Sequence, residues 1–163
     1  MKACLAAMLF AATLLCAAPR PLVLIFTRTD CPISNRYAPE VKRLYAAYSN
    51  RVDFRLVYVE PGLTADRMER HQTEFGLAVP AVLDTDRKYT RMAGATITPE
   101  AAVFVDGELI YRGRIDDRNA SYGIARAQPL HRDLDEVLAA VVAGKTPSPR
   151  FTRAMGCAIE PLK

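Results

Sequence analysis

The amino-acid sequence predicts an α/β protein with a mixed central sheet and helices on both faces. Three observations carry this. Residues 22–27 (LVLIFT) and 52–59 (VDFRLVYV) are β-branched and aromatic runs separated by a segment of helical periodicity, the pattern of two parallel strands and a crossover helix. Residues 101–105 and 108–115 flank Asp106-Gly107, a tight-hairpin signal, so antiparallel strands must join the same sheet. Leu134, Val137, Leu138 and Val141 recur at helical spacing ahead of Gly144, which defines a closing amphipathic helix.

The remaining elements follow in order. Tyr37, Val41, Leu44 and Tyr48 place one helix over 32–48, kinked at Pro39 because proline removes a backbone donor and crowds the preceding turn. Thr64 caps a helix that runs to Phe75 and ends at Gly76. Residues 81–83 form a short strand and 86–93 a short helix. Thr98 must be extended, because the ring of Pro99 crowds its backbone. Residues 116–130 are polar and interrupted by Gly and Pro, the composition of a long loop. The tail 147–163 has no period and is expected to be irregular.

A length of 163 residues, half of them hydrophobic, suffices for one domain with a sizeable core, and no linker or repeat divides it. The net charge of +4 comes from scattered arginines rather than a stripe, so a nucleic-acid partner is not expected. No phosphate loop, hydrolase triad or paired carboxylate motif is present, and no cofactor is implied.

The first 18 residues differ from the rest. Lys2 precedes an unbroken apolar run over 3–18, which Pro19 and Arg20 end. This reads as a secretory signal cut near Ala18, leaving 19–163 as the domain in a periplasmic or extracellular setting with no stable membrane insertion. The run is shorter than the roughly 20 residues of a spanning helix. An uncleaved anchor, a buried first helix or a lipid-modified Cys16 are the alternatives.

Signal removal takes away Cys4 and Cys16 and leaves Cys31 and Cys157. Two cysteines in an oxidising compartment can form one disulfide; the alternative is two unrelated buried thiols. Cys31 ends the first strand, and Pro32 opens the helix, where its missing N–H has no intrahelical role. Unpaired N–H groups at a helix start favour a thiolate, the form that attacks disulfides and peroxides. A Cys before Pro at such a turn is expected to face solvent or a cleft. Arg28 and Arg36 are close enough in sequence to add positive charge, and Asp30 opposes them. Ser34 stands three residues on, so the site is Cys-x-x-Ser: a hydroxyl can donate to the thiolate but cannot close a disulfide. Any intramolecular partner must then be Cys157, unless the tail buries that thiol far away.

The segments TDCPISN, TITPEAAVFVDGELIYRGRIDD, HRDLDEVLAAVVAGK and the terminal GCAI together resemble the thioredoxin-like redoxin superfamily, in particular its peroxiredoxin-like (alkyl hydroperoxide reductase/thiol-specific antioxidant) branch, over residues 22–160. The resemblance implies a thioredoxin fold, Cys31 as the reactive thiol, and a cis Thr98-Pro99 bond facing it. Ile97 and Thr98 would then offer backbone groups to an extended substrate strand. Where peroxiredoxins carry Pro and Thr seven and three residues before the reactive Cys, this chain has Leu24 and Arg28, so disulfide exchange stands beside peroxide reduction. Gly113, Arg114, Asp116, Asp117 and Arg118 read as a wall of the cleft, Arg114 being the candidate substrate contact, or as a salt-bridged surface turn. The expected function is an exported thiol oxidoreductase whose partner is a thiol, a disulfide or peroxide. The alternatives are copper handling, for which only His71 and His131 are available and both read as surface residues, and a redox-silent binding module.

Overall fold

The computed structural model describes residues 20–121, 123–145 and 150–161, so the segment read as a signal lies outside the described residues. The sheet has six strands in the order β3-β2-β1-β5-β6-β9: β1 (Leu22–Thr27), β2 (Asp53–Tyr58), β3 (Ala81–Leu83), β5 (Glu100–Val105), β6 (Glu108–Gly113) and β9 (Arg150–Phe151). β1, β2 and β3 run parallel, β5 is antiparallel to β1, and β6 returns from β5 through Asp106 and Gly107. Both turn residues have positive φ, +51° and +85°, as a primed hairpin turn requires.

Alternation along β1 divides the core. Val23 and Ile25 join Phe54, Leu56, Val103 and Tyr111 on one face, beneath α2 (Ala38–Tyr48), α3 (Ala65–Phe75) and α5 (Asp133–Val142). Leu24 and Phe26 point the other way, to Val57, Ala102 and Ala93 of α4 (Lys88–Ala93). α5 attaches through Leu134, Val137 and Leu138, all buried, as its spacing predicts. Thr64 caps α3 by accepting from the Arg67 N–H, and Gly76 ends it at φ +62°.

Three expectations need correction. The segment 32–48 is two helices, α1 (Pro32–Arg36) and α2, not one kinked helix. The Tyr37 N–H turns back to the Ser34 carbonyl, and Pro39 then falls in the first turn of α2, where its missing N–H leaves no bond unmade. The loop 116–130 contains a small hairpin, β7 (Asn119–Ser121) with β8 (Ile124–Ala125). The tail is not irregular throughout: β9 pairs in parallel with β6, and β10 (Cys157–Ala158) pairs antiparallel with β4 (Ile97–Thr98). Strands of two residues carry no periodicity, so their pairing cannot be read from the chain.

Candidate functional site

The site forms where β1 ends, α1 begins and the tail returns. Cys31 precedes α1 with extended φ and ψ, and the Asn35 N–H bonds its carbonyl. Thr98-Pro99 is a cis peptide, and the Thr98 carbonyl lies 3.3 Å from the Cys31 Sγ. In the register of the β10–β4 pair, Cys157 stands opposite Thr98. The two cysteine side chains lie close enough to shift each other's pKa, and both are free thiols. The tail thus carries Cys157 to Cys31 instead of burying it elsewhere.

Opposing effects act on Cys31. Burial pushes its pKa up. The Cys157 thiol, the Ser34 hydroxyl and backbone N–H, and the Thr98 side chain push it down and outweigh burial, so the thiol lies below its ordinary value. The Ser34 hydroxyl is buried beside Cys31 and makes no hydrogen bond of normal geometry among the described residues, which leaves it available to the thiolate. Cys157 moves the other way, to about 11, through burial and its bond to Cys31. The two shifts are opposed: Cys31 moves toward the thiolate and Cys157 toward the thiol. The Ser34 backbone N–H is one of the unpaired N–H groups in the first turn of α1.

The flanking charges take other roles than expected. Arg28 forms a bidentate pair with Asp30 at 2.9 Å and also bonds the Ala158 carbonyl, so both charges are spent on each other and on the tail. Arg36 is exposed at the end of α1. Arg114 is bonded to Asp133 at 2.7 Å, with its side chain along a small cavity shared with Pro99, Tyr37 and Met155. Asp116 and Asp117 are buried rather than on a surface turn: Tyr37 donates to Asp116 at 2.6 Å, and the backbone N–H groups of Leu130 and His131 donate to Asp117.

The expectation that Cys31 faces solvent is also corrected: its exposure is 0 %. β10 covers it, and a strand that arrives from 126 positions away in the chain leaves no mark around residue 31. The backbone edge of Ile97 and Thr98, expected to receive an extended substrate, is already paired with the chain's own Cys157 and Ala158.

Sequence reasoning missed a relay that shapes the loop. His71 is buried, not on the surface, because α3 turns it inward against Tyr58 and Phe75. Asn35 donates from Nδ2 to the Thr29 carbonyl, which turns its Oδ1 toward His71 Nε2 at 2.9 Å. Nε2 therefore carries the proton, and Nδ1 accepts from the Tyr58 hydroxyl at 2.8 Å. Burial lowers the His71 pKa, which agrees with a neutral ring. Nothing in the spacing of residues 35, 58 and 71 signals this contact. Because its folded-state pKa is depressed, His71 contributes stability fully above the unfolded value of about 6.5, and this is lost as pH falls below it. Urea midpoints are expected to drop on acidification from about pH 6.5, above the carboxylate range, and His71→Gln is expected to flatten that step. A wild-type midpoint that stays level down to the carboxylate range would contradict the assignment.

No family model matches the chain, and no curated protein matches it. Solved structures do. An uncharacterized conserved protein from Geobacillus kaustophilus superposes with a TM-score of 0.76 at 21% identity, over 89% of this chain and 79% of its own. A thioredoxin-like protein solved in its oxidised form gives 0.56 at 17% identity, over 77% and 80%. A secreted Mycobacterium tuberculosis disulfide oxidoreductase homologous to E. coli DsbE gives 0.50 at 19%, over 77% and 81%. The chain has the thioredoxin fold, with a mixed sheet flanked by helices on both faces.

Proposed function

We propose that this protein is a thiol–disulfide oxidoreductase in which Cys31 and Cys157 cycle between dithiol and disulfide. The neighbouring pair of free thiols beside the cis Thr98-Pro99 peptide, with Cys157 opposite Thr98 and Cys31 against the Thr98 carbonyl, carries the reading. A mixed disulfide between one of the two cysteines and the partner is attacked by the other cysteine, closing the Cys31–Cys157 bond and expelling the partner as thiolate; in reverse, a partner thiolate opens that bond and a cysteine thiolate leaves. Each cycle moves two electrons, and the sulfurs exchange their protons with partner and water. Ser34 donates to the thiolate, Thr98 and Pro99 wall the site, and Arg28 fixes the tail that carries Cys157. The disulfide oxidoreductase from M. tuberculosis shares the fold, and the N-terminal apolar run suits export to a compartment where such pairs are oxidised.

Two observations favour disulfide exchange over peroxide reduction. Arg28 stands where peroxiredoxins place a threonine, and it is paired with Asp30. The nearby Thr29 hydroxyl is bonded to the Glu60 carboxylate. For copper handling, both ring nitrogens of His71 are already engaged, and His131 is exposed beside Asp117 rather than Cys31.

Mild oxidation followed by trypsin is expected to join the peptides 29–36 and 154–163 through Cys31 and Cys157. Linkage only to small thiols, or only between chains, would overturn the reading.

A further inference from the structure

We infer that the partner thiol enters and leaves at Cys157, which stays partly exposed, while Cys31, with no exposed surface, never meets the partner directly. This rests on the oxidoreductase reading above and adds which sulfur forms the mixed disulfide.

The tail is built as a strap over the reactive sulfur. Its residues 157 and 158 pair with 98 and 97, and the Ile159 N–H bonds the Thr96 carbonyl at 2.9 Å. Arg28 bonds the Ala158 carbonyl, and Arg87, itself buried, bonds that of Glu160 at 3.2 Å. Gly156 is the tightest point: a Cβ there would lie 1.9 Å from the Thr98 carbonyl oxygen, so only glycine lets the strap lie this close. Beneath it Cys31 has no exposed surface, whereas Cys157 is partly exposed. The strap also fills the edge on which an extended peptide would pair, so the exchange partner is a compact thiol or disulfide that needs no strand pairing.

The exchange then runs as follows. A partner thiolate attacks the Cys157 sulfur, the bond to Cys31 breaks, and its electron pair stays on Cys31 as thiolate. A second partner thiolate attacks the partner's sulfur in the mixed disulfide and releases Cys157, which takes a proton from water. The sum is two thiols oxidised to one disulfide and one protein disulfide reduced to two thiols. Cys31 is the better leaving group of the two, so chemistry and access choose the same sulfur.

The test treats the oxidised full chain with less than one equivalent of glutathione, quenches with acid and maps the glutathione adduct by mass spectrometry. The adduct is expected on peptide 154–163, in excess over peptide 29–36 by about tenfold or more. Gly156→Ala, which must lift the strap from Thr98, is expected to move adduct onto Cys31. As a second measurement, Cys31→Ser is expected to react with glutathione disulfide faster than Cys157→Ser. An adduct mainly on Cys31 in the unaltered chain, or a faster reaction of Cys157→Ser, would overturn this inference and leave the oxidoreductase reading standing. A chain that forms no Cys31–Cys157 bond would overturn both.

Discussion

Cys31→Ser is expected to abolish disulfide exchange, with turnover falling on the order of 10³-fold or more, because the oxygen neither forms a disulfide nor leaves as a stable anion near neutral pH. The fold should survive, since serine is close in shape to cysteine and Ser34 and Thr98 offer it hydrogen-bond partners. The variant's Cys157 should still take up one small thiol and then stall, because nothing remains to attack the mixed disulfide. A matching titration follows thiolate absorbance. In the unaltered reduced protein a thiolate should appear below the ordinary value of about 8.5. Ser34→Ala should move that midpoint up by removing a donor to the anion. The first midpoint belongs to the cysteine pair, so Cys157→Ser must be titrated beside it. Retained turnover in Cys31→Ser, or a first midpoint at 9 or above, would remove Cys31 from the chemistry.

Leu138→Ala is expected to have the largest effect on stability. Leu138 is fully buried and pins α5 to the sheet with Leu134 and Val137. Removing its branched end leaves a cavity in a packed core, at a cost of about 2–5 kcal/mol. That is a large share of the roughly 5–15 kcal/mol that holds a typical domain folded. Urea unfolding should show a lower midpoint with an unchanged slope, the sign of lost stability without a changed denatured state. Leu130 provides the contrast: it is 73 % exposed, so Leu130→Ala is expected to stay within about 0.5 kcal/mol of the unaltered protein. Similar losses for the two would contradict the burial pattern.

Elements whose signals are local are legible in the chain. β1, β2 and the β5–β6 hairpin follow from apolar runs and a turn pair with positive φ, and α3 and α5 from spacing with a cap or a closing glycine. The Cys-Pro step at a strand-to-helix turn marked Cys31 for the same reason: its neighbours in the chain are its neighbours in space. What meets that sulfur is set by long-range packing. Cys157 and Thr98 are 126 and 67 residues away, and they arrive on strands of two residues, too short to show alternation. His71 looked like a surface residue of a polar helix because the Asn35 and Tyr58 that satisfy its ring lie 36 and 13 positions away. Burial of Asp116 and Asp117 likewise depends on Tyr37 and on backbone N–H groups beyond the hairpin. A polar side chain is read as exposed until its partner is known, and the partner is supplied by the fold.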